Sequence, residues 1–182
     1  MSTALISDPA ARAASASEVH DLVHRAQVAQ AAFESFTQEE VDAIVRAIAK
    51  YVYDNAEILA QMAVDETGIG VVADKVLKNK GKARVIWNSL KGEKSRGIIG
   101  EDEAAALIFV AKPMGVVGAV TPVTNPIVTP MCNAMFSLKT GNAVIFAPHP
   151  QAQGCTELLT DEFMKIVKAH GGPDNLIQTI ID

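Results

Sequence analysis

Apolar positions recur at helical spacing up to Leu90 and give way to short continuous runs after Gly92. Val19, Leu22, Val23 and Ala26 predict a first amphipathic helix. In Phe36-Thr37-Gln38-Glu39-Glu40-Val41, Thr37 is placed to cap the next helix and Glu40 to reach back to the cap amide. Phe36 and Val41 are spaced to clasp each other across that cap. Val41, Ile44, Val45, Ile48 and Val52 then form one apolar face. Asp54 and Glu57 repeat the capping spacing ahead of Ile58, Leu59 and Met62, and Gly68 predicts a stop. A further helix, from about Val72 to Leu90, carries many lysines on a face that must be wet.

Beyond Gly92, Arg96–Ile99 and Ala105–Val110 predict two strands around a polar turn, Gly100-Glu101-Asp102-Glu103. From Met114 the order becomes strand, helix, strand, helix, strand. The strands fall near Val116–Val120, Ala143–Phe146 and Leu176–Ile180, the helices near Pro130–Leu138 and Gln153–Ala169. Apolar strands alternating with helices indicate a parallel sheet covered on both faces. The expected class is α/β: a helical amino-terminal layer, a hairpin, and the first strands of a doubly wound, Rossmann-like sheet. Such a sheet leaves an exposed edge beside its third strand, so the sequence reads as part of a larger fold.

Composition narrows the partners. Of 182 residues, 49% are hydrophobic and 20% charged, the balance of a globular protein. A net charge of -5 argues against nucleic acid and anionic membranes, which call for a basic face. The longest apolar stretch, Met114 to Val128, is broken by Gly118, Pro122, Asn125 and Pro126, so no membrane span is expected. Cys132 and Cys155 make neither a disulfide framework nor a metal pattern. The Ala/Ser-rich start, Met1 to Ala16, lacks the pattern of a secretory leader. A cytoplasmic protein with reduced thiols and no metal is expected.

Ligands of open parallel sheets bind beyond the carboxyl ends of the strands. Two proline-rich segments fall there: Thr121-Pro122-Val123-Thr124-Asn125-Pro126 and Ala147-Pro148-His149-Pro150. Stiff loops hold polar groups without an ordering cost at binding. The Asn125 amide is suited to donate to a developing oxyanion, or alternatively to cap the following helix. His149 suits ligand contact or acid–base work, or simply shapes a turn. Cys132 and Cys155 read as small buried hydrophobes rather than nucleophiles. Gly115 and Gly118 are spaced as a piece of a phosphate-binding fingerprint, but they lie in or before the strand and read as packing glycines. The lysines at 75, 78, 80 and 82 read as a solvated face, with a cofactor-phosphate patch as the alternative.

These two loops carry a resemblance. Lys112 through Pro126 (KPMGVVGAVTPVTNP) resembles the first cofactor-binding strand and loop of the aldehyde dehydrogenase superfamily, and within it the CoA-acylating branch. There the loop reads Thr-Pro-x-Thr-Asn-Pro, where hydrolytic members place a tryptophan before the asparagine. Ser137 through Pro150 is similar to the same branch, with Ala147 where hydrolytic members usually carry a lysine. Ser35–Asp42 and Val72–Asn79 also fit. The resemblance implies oxidation of an aldehyde with CoA and NAD(P)+ to acyl-CoA and NAD(P)H. NAD is the preferred expectation, with NADP possible. Asn125 would stabilise the thiohemiacetal oxyanion. Thr121, Pro122, Val123 and Thr124 would run beside the nicotinamide ribose, and Pro148, His149 and Pro150 near the adenosine ribose.

The resemblance also implies that residues 1–182 form the amino-terminal part of a cofactor-binding domain. Residues 93–112 would be the hairpin of an oligomerisation arm, so a homo-oligomer is expected. The family's nucleophilic cysteine lies well beyond the third strand, and neither Cys132 nor Cys155 matches it. The chain alone is therefore expected to be inactive. Two alternatives stand beside this reading: a non-catalytic assembly module, and a non-acylating semialdehyde dehydrogenase.

Overall fold

The computed structural model describes residues 9–181; residues 1–8, within the stretch read as lacking a leader, lie outside it. Four helices come first: α1 (Pro9–Phe33), α2 (Gln38–Asp54), α3 (Ala56–Thr67) and α4 (Val72–Leu90). A hairpin of β1 (Gly97–Asp102) and β2 (Leu107–Ala111) follows. The remainder is β3 (Val116–Thr121), α5 (Val128–Lys139), β4 (Ala143–Pro148), a 3-10 turn (Pro150–Ala152), α6 (Gln153–Ala169) and β5 (Ile177–Thr179).

The start of α2 forms as its sequence dictates. Thr37 accepts from the Glu40 amide at 3.2 Å, and the Glu40 carboxylate accepts from the Thr37 amide at 2.8 Å. Val41, Ile44, Val45, Ile48 and Val52 are all fully buried. Each such side chain contributes roughly 1.5–3 kcal/mol by leaving water. Gly68 ends α3 with a left-handed φ of 67°, a conformation that disfavours side chains. The Asp54–Glu57 capping expectation is corrected. Asp54 closes α2, and Asn55 at the start of α3 makes no side-chain cap.

The strands β3, β4 and β5 pair in parallel, in that order. Successive right-handed crossovers in one direction put α5 and α6 on the same face. On the other face, α1 is tied down by Gln30, which donates to the Gly141 carbonyl at 3.1 Å, and by Gln178, which donates to the Leu22 carbonyl at 3.0 Å. Covered on both sides, β4 is buried from Ala143 to Phe146, which explains its unbroken apolar run. The α2–α4 layer packs outside α5 and α6. An ion pair clamps this junction: Lys139 on α5, 2% exposed, meets Asp42 on α2 at 2.5 Å.

The hairpin stands apart, packing chiefly on itself. Its turn is corrected from the expected position. Gly100, Glu101 and Asp102 belong to β1, and the chain reverses over 103–106, where Asp102 accepts from the Ala105 amide at 3.1 Å. Ile98, Leu107, Ile108, Phe109 and Val110 are each about half exposed or more. Its base is fixed by Arg96, which donates to the Phe33 carbonyl at 2.6 Å and lies over the Phe33 ring at 5.4 Å. Among the described residues no helix is long and apolar enough to cross a membrane.

Candidate active site

The parallel register of β3 and β4 decides where the two proline loops emerge. Thr121 is opposite Pro148, and the His149 amide donates to the Thr121 carbonyl at 3.0 Å. Both loops therefore leave the same end of the sheet side by side. The first contains Asn125, half-buried, between exposed Thr124 and buried Pro126. It does not cap α5: that helix starts at Val128 with Ile127 at its cap position and no side-chain cap. Instead its Oδ1 accepts from the ammonium of Lys78, and its Nδ2 lies 3.5 Å from the Thr124 hydroxyl.

Lysine contact with this loop corrects the reading of α4 as only a solvated face. Lys75 and Lys78, one turn apart, share a side of the helix. Lys75 donates to the Thr124 carbonyl at 3.3 Å. Neither makes an ion pair with a carboxylate among the described residues, whereas Lys80 pairs with Glu57 at 3.2 Å. Partial burial lowers the pKa of Lys75, and the neighbouring Lys78 charge lowers it further. The crevice behind Asn125, lined by both lysines, Asn79 and Pro126, measures about 10 Å³. That is room for roughly one water.

Thr121 closes β3 with its hydroxyl buried. Among the described residues its Oγ1 is the sole buried side-chain polar atom without a hydrogen-bond partner. A buried hydroxyl left unpaired is costly, and one at a ligand-bearing strand end is suited to a partner arriving from outside the chain.

The second loop is satisfied from within. His149 Nδ1 accepts from the Gln151 amide at 3.2 Å and Pro150 takes the first position of the 3-10 turn, so His149 does shape the turn. That leaves Nε2 as the nitrogen open to a ligand. Ala147 and Pro148 are half-buried, and His149 and Pro150 exposed. Just beyond, α6 begins at a carboxylate from α3: Glu66 accepts from the Gly154 amide at 2.7 Å and the Cys155 amide at 2.8 Å. The negative end of this side chain meets the positive end of the helix dipole. Sequence reasoning passed over Glu66, since its partners lie 88 and 89 positions away.

The cysteines behave as core. Cys155 is fully buried, and burial followed by contact with Glu66 drives its thiol pKa far up. Burial also raises that of half-buried Cys132. Neither has the thiolate character of a nucleophile. Gly118 is not the packing glycine expected, because a side chain there would meet open space. Gly115 is required for its φ of 114°. A cavity of about 440 Å³ lies beside β3, lined by Phe136 and Thr140 among others and by no residue of either loop. No cluster of His, Cys, Asp and Glu able to hold a metal occurs among the described residues.

A parallel α/β sheet with two stiff loops at one end is the architecture of a ligand-binding fold, and comparison gives the class. Residues 9–182 match the model of the aldehyde dehydrogenase family, and the chain belongs to that family. Within it, the similarity is to acylating members. The chain is 48% identical over 166 residues to a succinate-semialdehyde dehydrogenase (acetylating) of Clostridium kluyveri, covering 89% of this chain and 36% of that protein. It superposes on an acetylating aldehyde dehydrogenase from Geobacillus thermoglucosidasius with a TM-score of 0.86 at 39% identity, covering 90% of this chain and 36% of that one. A propionaldehyde dehydrogenase from Rhodopseudomonas palustris, solved with bound CoA and an acylated cysteine, gives 0.73 at 31% identity, covering 88% and 36%. The chain thus spans 36% of the length of these relatives.

Proposed function

We propose that this chain is the amino-terminal part of the cofactor-binding domain of a CoA-acylating aldehyde dehydrogenase. The overall reaction is aldehyde plus CoA–SH plus NAD+ giving acyl-CoA plus NADH plus a proton, with NADP+ as a possible substitute. The observation that carries it is the paired emergence of the Thr121–Pro126 and Pro148–Pro150 loops, with Asn125 held at the rim. Bound nicotinamide dinucleotide would supply the hydride acceptor. The orphan hydroxyl of Thr121 and the backbone of Pro122, Val123 and Thr124 are suited to its nicotinamide ribose. Pro148, His149 and Pro150, with the free Nε2, are suited to the adenosine ribose. Ala147 offers no charged contact there.

Asn125 is the catalytic residue of this part. When a thiolate adds to the aldehyde carbon, the carbonyl oxygen takes the electron pair and becomes an alkoxide. An amide N–H already aimed at that oxygen stabilises the charge without reorganising. The thiolate would come from outside the described residues, because Cys155 is buried, Cys132 is half-buried, and burial raises the pKa of both thiols. Alone, the chain then turns nothing over. We place it in the cytoplasm, its substrates a small aldehyde and CoA.

The test joins residues 1–182 to the remainder of the Clostridium kluyveri relative and follows NADH formation. Turnover that needs aldehyde, NAD+ and CoA together is expected. NADH formation with aldehyde and NAD+ that CoA does not accelerate would instead favour a non-acylating semialdehyde dehydrogenase. One observation favours an added role in assembly: the exposed apolar strands of the hairpin, whose free edges suit pairing in a homo-oligomer. Replacing Ile108 and Phe109 with lysine should lower the sedimentation mass of the joined protein. An unchanged mass would remove that role.

A further inference from the structure

Asn125 carries an ambiguity that its own loop does not resolve. An asparagine amide has an acceptor end and a donor end of nearly the same shape. Only the orientation with Nδ2 toward the rim can stabilise an oxyanion. With Oδ1 outward, the same residue would repel one. Within the loop, the sole side-chain partner is the Thr124 hydroxyl at 3.5 Å, at the limit of a hydrogen bond and able to serve either end.

We propose that Lys78 is the positioning residue that fixes the Asn125 amide with its donor end outward, Lys75 holding the preceding carbonyl in the same clamp. An ammonium has donors and no acceptor, so Lys78 selects Oδ1 and excludes Nδ2. Lys75 donates to the Thr124 carbonyl, which pins the backbone from which Asn125 projects. Both come from one face of α4, across 47 and 49 positions of sequence, so a rigid helix rather than the loop sets the geometry. Their lack of carboxylate partners leaves two positive charges behind the amide. Those charges polarise its N–H toward the rim and favour an alkoxide there. The lowered pKa of Lys75, with Lys78 among its causes, agrees with two ammoniums held close together. This role rests on Asn125 being the oxyanion donor, and it goes beyond that assignment by naming what orients the donor.

The test uses the side-chain amide signals of the 15N-labelled 182-residue chain, which need no turnover. Lys78→Met should move the Asn125 signal pair, while that of Asn142, held by Met114, Gly115 and Thr140, stays in place. Lys78→Arg, which keeps a charged donor, should restore most of the wild-type position. Lys80→Met, on the same helix but paired with Glu57, serves as the control and should leave Asn125 untouched. In the joined protein, Lys78→Met should lower kcat roughly tenfold, less than the ~100- to 1,000-fold of losing an oxyanion donor outright, with KM for aldehyde little changed. Lys78→Arg should recover most of that loss.

An Asn125 signal indifferent to Lys78→Met would overturn the proposal, as would a shifted signal with kcat unchanged. A joined protein whose turnover survives Asn125→Ala would instead count against the oxyanion assignment. The two failures are thus told apart by which residue proves silent.

Discussion

The two loops at the end of the sheet are built by opposite means. The second is closed from within: His149 caps its own turn, and Glu66 neutralises the start of α6 immediately after it. The first is held from outside, by two lysines of a distant helix, and it keeps a buried hydroxyl with no partner. A segment whose polar groups are all paired contributes to folding. A segment with a donor at the rim and an unpaired hydroxyl gives up stability for a ligand. The contrast fits the proposed division, in which the second loop is scaffold with a ligand edge and the first would be the reacting surface.

Substitutions sharpen this division. Glu66→Ala should cost the most stability, about 2 kcal/mol, because two charge-assisted bonds to amides at a helix start are lost together. In a chain of this size that is roughly a 5 °C drop in melting temperature by calorimetry. His149→Ala should cost less, on the order of 0.5–1 kcal/mol, since one exposed local cap disappears. Asn125→Ala should be the mildest, within ~0.5 kcal/mol, because its partners are solvent-exposed. A melting temperature that falls more for Asn125→Ala than for Glu66→Ala would erase the distinction.

The cysteines give a pH-dependent check on the floor beneath the second loop. Burial raises both thiols above their ordinary value of 9.0. Alkylation by iodoacetamide in the native state should therefore be slow at pH 8 and stay slow at pH 9, fastest for half-buried Cys132. The linkage follows from the same direction. Above pH 9 the unfolded chain loses thiol protons that the folded chain retains, so this contribution to stability is intact below that pH and declines as pH rises. Rapid labelling of Cys155 at neutral pH would show that α6 is not seated as described.

Much of this organisation was legible because it is local. The capping box at Thr37–Glu40 and the apolar face of α2 are set within a few turns of chain. So is α6, whose bounds match the helical period of its sequence. The hairpin turn was misplaced because Gly100-Glu101-Asp102 is polar, yet β1 is exposed on nearly every residue and accepts polar side chains without penalty. Asn125 as a helix cap was a sound local reading overturned by a lysine 47 positions away. Glu66 was invisible for the same reason, and Lys75 and Lys78 were legible only as a solvated face or a cofactor-phosphate patch. A lysine on a wet helix face has the same local sequence whether or not a loop folds down to meet it. Family resemblance supplied the chemistry of the loops, and the register of β3 against β4 supplied their adjacency.

The most direct measurement is the burst of NADH in the joined protein before CoA is added, which isolates attack on the aldehyde and hydride loss. The expected result for Asn125→Ala is a burst rate ~100- to 1,000-fold slower, with the melting temperature unmoved. A burst as fast as that of the unsubstituted protein would contradict the assignment of the first loop as the reacting surface.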